Sequence, residues 1–480
     1  MKKYIPLAIA LALTASATSM AKSPKRGVSE DQFTFESQLR ILSPGVCWYY
    51  NWSNVPGRGY NDGVINFTDM EFAPMCWNAN YDADAIRDYV KSHPSCRYLL
   101  GFNEPNFTKQ ANMTPQKAAE EWPAVKALAD ELGLEIVAPA MNYSPNAPYQ
   151  DPTKWFDEFV ALVGNDAFDY VAIHNYGGLG VMKTLAGTFH ERYGKPVWVT
   201  EFCYWPNEGQ ADSRVEPDVQ IKSMVETVEW LEKTDYIYRY AWFKATGRHE
   251  NTPTVGSPCY GLIISQNGLG ERQLSPQGYV YTYMSTFDTG LWHQTGSDFA
   301  ATDYIASKAV NLAPGACDLC PKPIEISQFS AGASADYQIE TPEADTYVLT
   351  LRVSGQGEPV RFDPTLVFES VDANGNATAL CQPKQFQLSG KDDSYTEVQF
   401  ELELPAGRQT LRMRDDNPFQ PSGIRISTLR LDSRSGVSEV LAGENATDNT
   451  TYSIDGRPVH DNTPAPGVYI RGGKKIIINP

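Results

Sequence analysis

Between about residues 45 and 285, apolar runs alternate with helical patterns, and few folds accept that rhythm. The runs are "GVCWYYNW" (45–52), "EFAPMCW" (71–77), "RYLLGF" (97–102), "EIVAPAMN" (135–142), "YVAIHNY" (170–176), "PVWVTEFCYW" (196–205) and "YIYRYAWFKA" (236–245). "YGLII" (260–264) is a candidate extension of the last. Helical patterns separate them: "YDADAIRDYVKSH" (81–93), "TPQKAAEEWPAVKALADELG" (114–133), "DPTKWFDEFVALVG" (151–164), "LAGTFHERYG" (185–194), "EPDVQIKSMVETVEWLEK" (216–233) and "SPQGYVYTYM" (275–284). The second of these is punctuated at both ends, with Thr114 as N-cap, Pro115 in the first turn and Gly133 as stop. Strands apolar on both faces belong to a parallel sheet covered by helices. The expected architecture is a (β/α)8 barrel over residues 40–290, with only two clear strands ahead of the run at 97–102.

Residues 22–44 are polar and read as a lead-in. Past residue 300 the pattern changes. "GSDFAATDY" and "APGACDLCPKP" read as a linker, and short alternating runs then recur about every ten residues. They include "DTYVLTLRVSG" (345–355), "PTLVFESVD" (364–372), "YTEVQFELELPAG" (395–407), "QTLRMRDD" (409–416) and "GIRISTLRLD" (423–432). This predicts an antiparallel β-sandwich over 323–433. The last segment, 437–480, is a small β-rich unit in which Asp455-Gly456 and Gly472-Gly473 offer hairpin turns.

The stretch MKKYIPLAIALALTASATSMA has a basic start, a short apolar core and small residues at the cleavage positions. Residues 1–21 are therefore expected to be a signal peptide, and the protein to be secreted or held at the cell surface. No segment is apolar enough to span a membrane. The net charge of −18 opposes nucleic acid or an anionic membrane surface as partner and is compatible with a neutral substrate. Eight cysteines in an exported chain permit disulfides. The pair Cys317 and Cys320 reads as a local bridge; with no second CxxC or His pair beside it, zinc is not expected.

In a barrel the strand C-termini open on one face, so chemistry is sought at strand ends. The strand from Tyr98 ends in Asn103-Glu104, where Pro105 breaks the ladder and favours extended geometry at Glu104. The strand from Tyr170 ends in His174-Asn175-Tyr176, and that from Val197 in Thr200-Glu201-Phe202. Two strands separate the glutamates, yet both stand on one predicted face. Two opposed carboxylates are what glycosidic cleavage needs, one protonated and one ionised. At about 5 Å and an effective dielectric of about 20 they repel by roughly 3 kcal/mol, about two pKa units, which keeps one protonated near neutral pH.

"GFNEPN" and "VTEF" resemble clan A glycoside hydrolases. In order, "WYYNW", "EFAPMCWN", "LLGFNEPN", "VAPAMN", "AIHNY" and "VWVTEFCYW" resemble glycoside hydrolase family 128, the Asl1-like catalytic domains, across about 45–285. "GLIISQNGLGERQLSPQGYVYTY" resembles that family's closing segment. The resemblance implies a retaining endo-β-1,3-glucanase with Glu104 as acid/base and Glu201 as nucleophile. It also implies Asn103 near the sugar 2-hydroxyl, Tyr176 orienting Glu201 and His174 lining the cleft, and it counts the Glu104 strand as the fourth. The sandwich resembles carbohydrate-binding modules through "TPEADTYVLTLRV" and "LPAGRQTLRMR". The terminal unit, with "YSIDGRPV" and "GVYIRGGKKIII", resembles the sorting domain of exported Bacteroidota proteins, which implies use of the outer-membrane secretion machinery.

Trp48, Tyr49, Tyr50, Trp52, Trp77, Trp205 and Trp242 lie at or near strand ends, and alternation sends half of such residues outward. Tyr50, Trp77, Trp205 and Trp242 are the expected sugar platforms. No metal site or nucleotide loop is visible, so no cofactor is expected. Two rival readings remain at this point: another clan A activity on β-1,4 or β-1,6 glucan, and a non-catalytic glycan-binding surface protein. Retention of both glutamates opposes the second.

Overall fold

The computed structural model describes residues 22–57, 67, 69–206, 213–250, 256–264, 273–315, 317–330, 332–355, 364–388, 394–417 and 423–434, and four short strands between 451 and 478. Residues 1–21, read as a signal peptide, lie outside the described residues. Eight parallel strands form the first sheet: β1 (Arg26–Ser29), β2 (Trp48–Tyr50), β3 (Glu71–Phe72), β4 (Tyr98–Leu100), β5 (Glu135–Met141), β6 (Tyr170–Asn175), β7 (Val197–Phe202) and β8 (Ile237–Phe243). Their order is β3-β2-β1-β8-β7-β6-β5-β4. Just past β3, Met75 bridges to Leu100 of β4, and the ring closes. It is a (β/α)8 barrel. The helices that pack around it are α1 (Glu36–Leu42), α2 (Ala83–Ser92), α3 (Pro115–Leu132), α4 (Pro152–Val163), α5 (Gly178–Tyr193), α6 (Pro217–Lys233) and α7 (Pro276–Tyr283).

The strand containing Glu104 is thus preceded by three strands, not two. The segment read as a polar lead-in holds β1 and α1, so the barrel starts upstream of residue 40. The sequence "RGVS" hides this strand because Arg26, a fully buried residue, spends its charge internally. Its guanidinium pairs with Glu232 at 3.2 Å and donates to the carbonyls of Tyr281 (3.0 Å) and Ser285 (2.7 Å). The α3 signals work as expected: Thr114 Oγ1 accepts from Lys117 N at 3.1 Å, and Gly133 takes the left-handed conformation at φ 67°. α5 begins at Gly178, earlier than the pattern at 185–194. Ile263–Ile264 does not extend β8 but pairs antiparallel with Gln273–Leu274.

Inside the ring, Trp48, Tyr50, Met75, Tyr98, Leu100, Tyr170 and Trp198 form a separate apolar cluster. Arg239 fills its base, paired with Glu71 at 2.7 Å and stacked over Trp48 (5.5 Å), Tyr98 (4.5 Å) and Trp198 (5.2 Å). Intervening side chains such as Tyr49, Leu99, Val171, Val199 and Trp242 face the helices.

Two antiparallel-rich sheets follow, of seven and six strands among the described residues. They include all five expected runs, as Asp345–Ser354, Thr365–Val371, Thr396–Leu404, Gly407–Asp415 and Ile424–Ser433. Residues 293–314, read largely as linker, supply four more strands to these sheets, so the sandwich starts well before residue 323. Gly and Pro in this stretch mark turns between very short strands and not a tether. The bridge expected at Cys317 and Cys320 is not made: both are free thiols, and Cys320 Sγ turns to the Ser427 carbonyl at 3.3 Å. The last four strands form a separate antiparallel sheet, while Asp455-Gly456 and Gly472-Gly473 lie outside the described residues. No helix among the described residues is long and apolar enough to cross a membrane.

Candidate active site

Glu104 and Glu201 meet at the C-terminal mouth of the barrel, each about one-twentieth exposed (5% and 5%). Reaching that point takes local departures from regular strand geometry at both positions. On β7, Trp198 faces inward and Val199 outward, so plain alternation would send Glu201 to the helices. A bulge intervenes: Val199 pairs with Ile173, but Glu201, not Thr200, pairs with His174. The extra residue restores Glu201 to the interior. Beyond β4, Glu104 takes φ +43°, which replaces the extended geometry expected before Pro105. Its N–H donates to the Ala140 carbonyl at 3.0 Å and its carbonyl accepts from Phe107 N at 2.9 Å, holding this strained residue in a tight turn.

Glu104 Oε1 accepts from Asn142 Nδ2 at 3.0 Å and lies 2.8 Å from His174 Nδ1. Both contacts go to the same oxygen. Glu201 receives three donors. Trp52 Nε1 reaches Oε1 at 2.7 Å, Tyr50 OH reaches the same oxygen at 3.1 Å, and Tyr176 OH donates to Oε2. His174 spans the pair, with Nε2 3.4 Å from Glu201 Oε1.

Burial pushes the Glu201 carboxyl up from its ordinary value. The positive side of His174 opposes that rise, Glu104 adds to it, and the bonds from Tyr176 and Trp52 pull it back. Burial raises the Tyr50 and Tyr176 phenols far above their usual range, so both stay protonated and donating. The three donors offset part of the burial cost of the Glu201 anion without cancelling it. One potential ligand atom from each of Glu104, His174 and Glu201 lies within 4.8 Å of the others. His174 faces both carboxylates and their oxygens already accept N–H and O–H donors, an arrangement suited to proton transfer.

Of the other residues singled out in the sequence, Tyr50, His174 and Tyr176 contact the glutamates as described. Asn103, which precedes Glu104 in the chain, is buried; its Nδ2 donates to Gln110 Oε1 at 3.3 Å, and its Oδ1 has no partner among the described residues. Trp77 is half-buried and packs on the interior cluster. Trp205 is half-buried, edge-on to Tyr176 at 6.1 Å and stacked with Tyr260 at 6.2 Å. Trp242 is not brought to the mouth. It faces the helix layer, against Phe202 (5.1 Å) and Tyr281 (5.7 Å), because the inward positions of β8 are Arg239, Ala241 and Phe243. Phe243 takes the inner place, edge-on to Trp52 at 5.9 Å and Tyr176 at 5.5 Å.

Sequence reasoning passed over Asn142 and Phe243, and it placed Trp52 among the strand-end aromatics without choosing it. Asn142 carried a usable signal, since it ends the strand after that of Glu104. Trp52 did not: its indole reaches Glu201 from a backbone at φ +55°.

The model of the family described as glycosyl hydrolase catalytic core matches residues 27–281. Among solved structures, the chain is similar to a GH128 subgroup II endo-beta-1,3-glucanase from Pseudomonas viridiflava, with 36% identity and a TM-score of 0.46, covering 55% of this chain and 98% of that one. It is similar to a second subgroup II endo-beta-1,3-glucanase, from Sorangium cellulosum, with 31% identity and a TM-score of 0.44, over 54% of this chain and 97% of that one. A subgroup I endo-beta-1,3-glucanase from Amycolatopsis mediterranei, solved with laminaritriose, is 26% identical with a TM-score of 0.39, over 46% and 89% of the two chains. No curated protein matches the chain.

Proposed function

We propose that this chain, which belongs to the glycosyl hydrolase catalytic core family, is an endo-acting β-1,3-glucanase that retains anomeric configuration. The observation that carries the mechanism is the separation of the glutamates: an oxygen of one lies within 4.8 Å of an oxygen of the other. Retaining enzymes hold their carboxyl groups about 5–5.5 Å apart, and inverting ones about 6.5–9.5 Å apart to admit a water. The β-1,3 linkage and endo action rest on the ordered motifs of residues 45–285.

In the first step Glu104 gives its proton to the glycosidic oxygen. The C1–O bond breaks as a Glu201 oxygen attacks C1 from the other face. In the second, Glu104 takes a proton from water, the water oxygen bonds to C1, and the ester electrons return to Glu201. Asn103, next to Glu104 in the chain and with a buried Oδ1 unpartnered among the described residues, is suited to bind the sugar 2-hydroxyl, and Trp77 and Trp205 to stack on neighbouring units. The basic and apolar pattern of residues 1–21 supports export, and the motifs of 437–480 support handling by outer-membrane secretion machinery. A glycan-binding role for the sandwich rests on its strand motifs.

The first test is product analysis on linear and branched β-1,3-glucans beside β-1,4- and mixed-linkage glucans. A ladder of short oligosaccharides from the β-1,3 polymers, released with the β-anomer first, is expected. Release of the α-anomer first would refute retention, and cleavage of β-1,4-glucan alone would move the enzyme elsewhere in the clan. Glu104→Gln should slow glucan hydrolysis by about 10²–10⁴-fold while sparing the first step on an aryl glycoside with a good leaving group. Glu201→Gln should abolish turnover of both substrates.

A further inference from the structure

We propose that Trp52 selects which oxygen of Glu201 attacks and hastens release of the glycosyl group from it, an inference that rests on Glu201 being the nucleophile. A carboxylate oxygen offers two lone-pair directions. On Glu201 Oε1 both are engaged, by Trp52 Nε1 at 2.7 Å and Tyr50 OH at 3.1 Å. Among the described residues Oε2 accepts a hydrogen bond from Tyr176 alone, which leaves its second direction unclaimed. Oε2 is therefore the atom that bonds to C1, and Oε1 becomes the ester carbonyl.

Trp52 is built for this task. Its φ of +55° is unusual for a bulky residue, and its ring is held edge-on between Tyr50 at 5.3 Å and Phe243 at 5.9 Å. Phe243 in turn buttresses Tyr176 at 5.5 Å. The four rings form a collar that fixes all three donors around one carboxylate, so little reorganisation is needed as charge changes.

The consequence is unequal for the two steps. An N–H bond to an anion is about twice as strong as one to a neutral carbonyl. Forming the ester discharges Glu201 and weakens the Trp52 bond. When water attacks C1 and the C1–Oε2 electrons return to the carboxylate, that bond strengthens again. Trp52 thus opposes the first step slightly and favours the second. It is a positioning residue, acting through Glu201.

The test is Trp52→Phe, which keeps a ring and removes the N–H, assayed on 2,4-dinitrophenyl β-laminaribioside, whose good leaving group makes the second step limiting. We expect kcat about tenfold to a hundredfold lower, the size of a lost bond to a charged group. A full pre-steady-state burst should remain, glycosyl-enzyme on Glu201 should accumulate by intact mass, the acid limb of kcat/KM should move to higher pH, and Tm should hold. Equal slowing of both steps without accumulated ester, or an unmoved acid limb, would overturn the proposal. Should the Trp52 variant fail to fold, Tyr50→Phe removes the other donor from the same oxygen and must give the same signature or refute it. Wild-type enzyme that forms no ester on Glu201 refutes the nucleophile assignment itself, a result visible before any variant is made.

Discussion

At the scale of single residues, the site is two carboxyl groups made unequal by what points at them. Glu201 is buried, and burial raises its pKa above the ordinary 4.5. The proposed mechanism needs its anion, so activity is expected to rise as pH climbs through that raised value. The acid limb of kcat/KM is expected above pH 4.5, and a limb at or below it would contradict the shift. The sign for stability is opposite. A carboxyl with a raised folded-state pKa contributes most below its unfolded pKa, and that contribution is lost as pH rises through the folded one. The working form of the site is therefore its less comfortable form. Both glutamates were legible in the sequence, since an acid that ends a buried apolar run has few structural excuses. The donors were only partly legible. The role of Tyr176 was implied by the family resemblance, but the aim of Trp52 depends on a positive φ that no pattern of residue types encodes.

At the scale of elements, the alternating runs revealed most of the barrel because strands buried on both faces and capped helices leave strong marks. The capping of α3 is quantitative enough to test. Thr114→Ala removes the 3.1 Å bond to Lys117 N and should cost about 1 kcal/mol, read as a lower midpoint of urea unfolding with unchanged m. An unchanged midpoint would mean the cap is idle. Two elements were illegible for different reasons. β1 escaped notice because its leading residue is charged, and only the tertiary structure reveals the carbonyls and Glu232 that receive Arg26. Parity defeated the assignment of Trp242, since a strand reads equally well with either face inward. The bulge at Thr200 is the reverse case: simple alternation from Trp198 would have sent the right residue, Glu201, the wrong way.

At the scale of the whole molecule, the sandwich is fastened to the barrel. Ser307 donates from its N–H (3.0 Å) and hydroxyl (2.6 Å) to the Glu229 carboxylate on α6, and Ser285 Oγ donates to the Tyr304 carbonyl at 2.6 Å. Phe287 and Tyr304 pack edge-on at 5.8 Å, within a core shared by both parts. A change in one part should therefore be felt in the other. Ser307→Ala, far from the mouth, should lower the temperature at which glucan hydrolysis is lost by about 2–4 °C per kcal/mol, with about 1 kcal/mol expected. Loss of activity at an unaltered temperature would show that the parts unfold independently. The plug of Arg239, Trp48, Tyr98 and Trp198 has its own consequence for traffic. With the base of the barrel filled, the proposed mechanism gives the cleaved half of the chain, the water that replaces it and any other sugar hydroxyl one shared doorway. On the retaining mechanism proposed above, whichever arrives first after the leaving fragment moves aside takes the glycosyl group, so crowding that doorway with short glucans is expected to turn chain cutting toward chain joining.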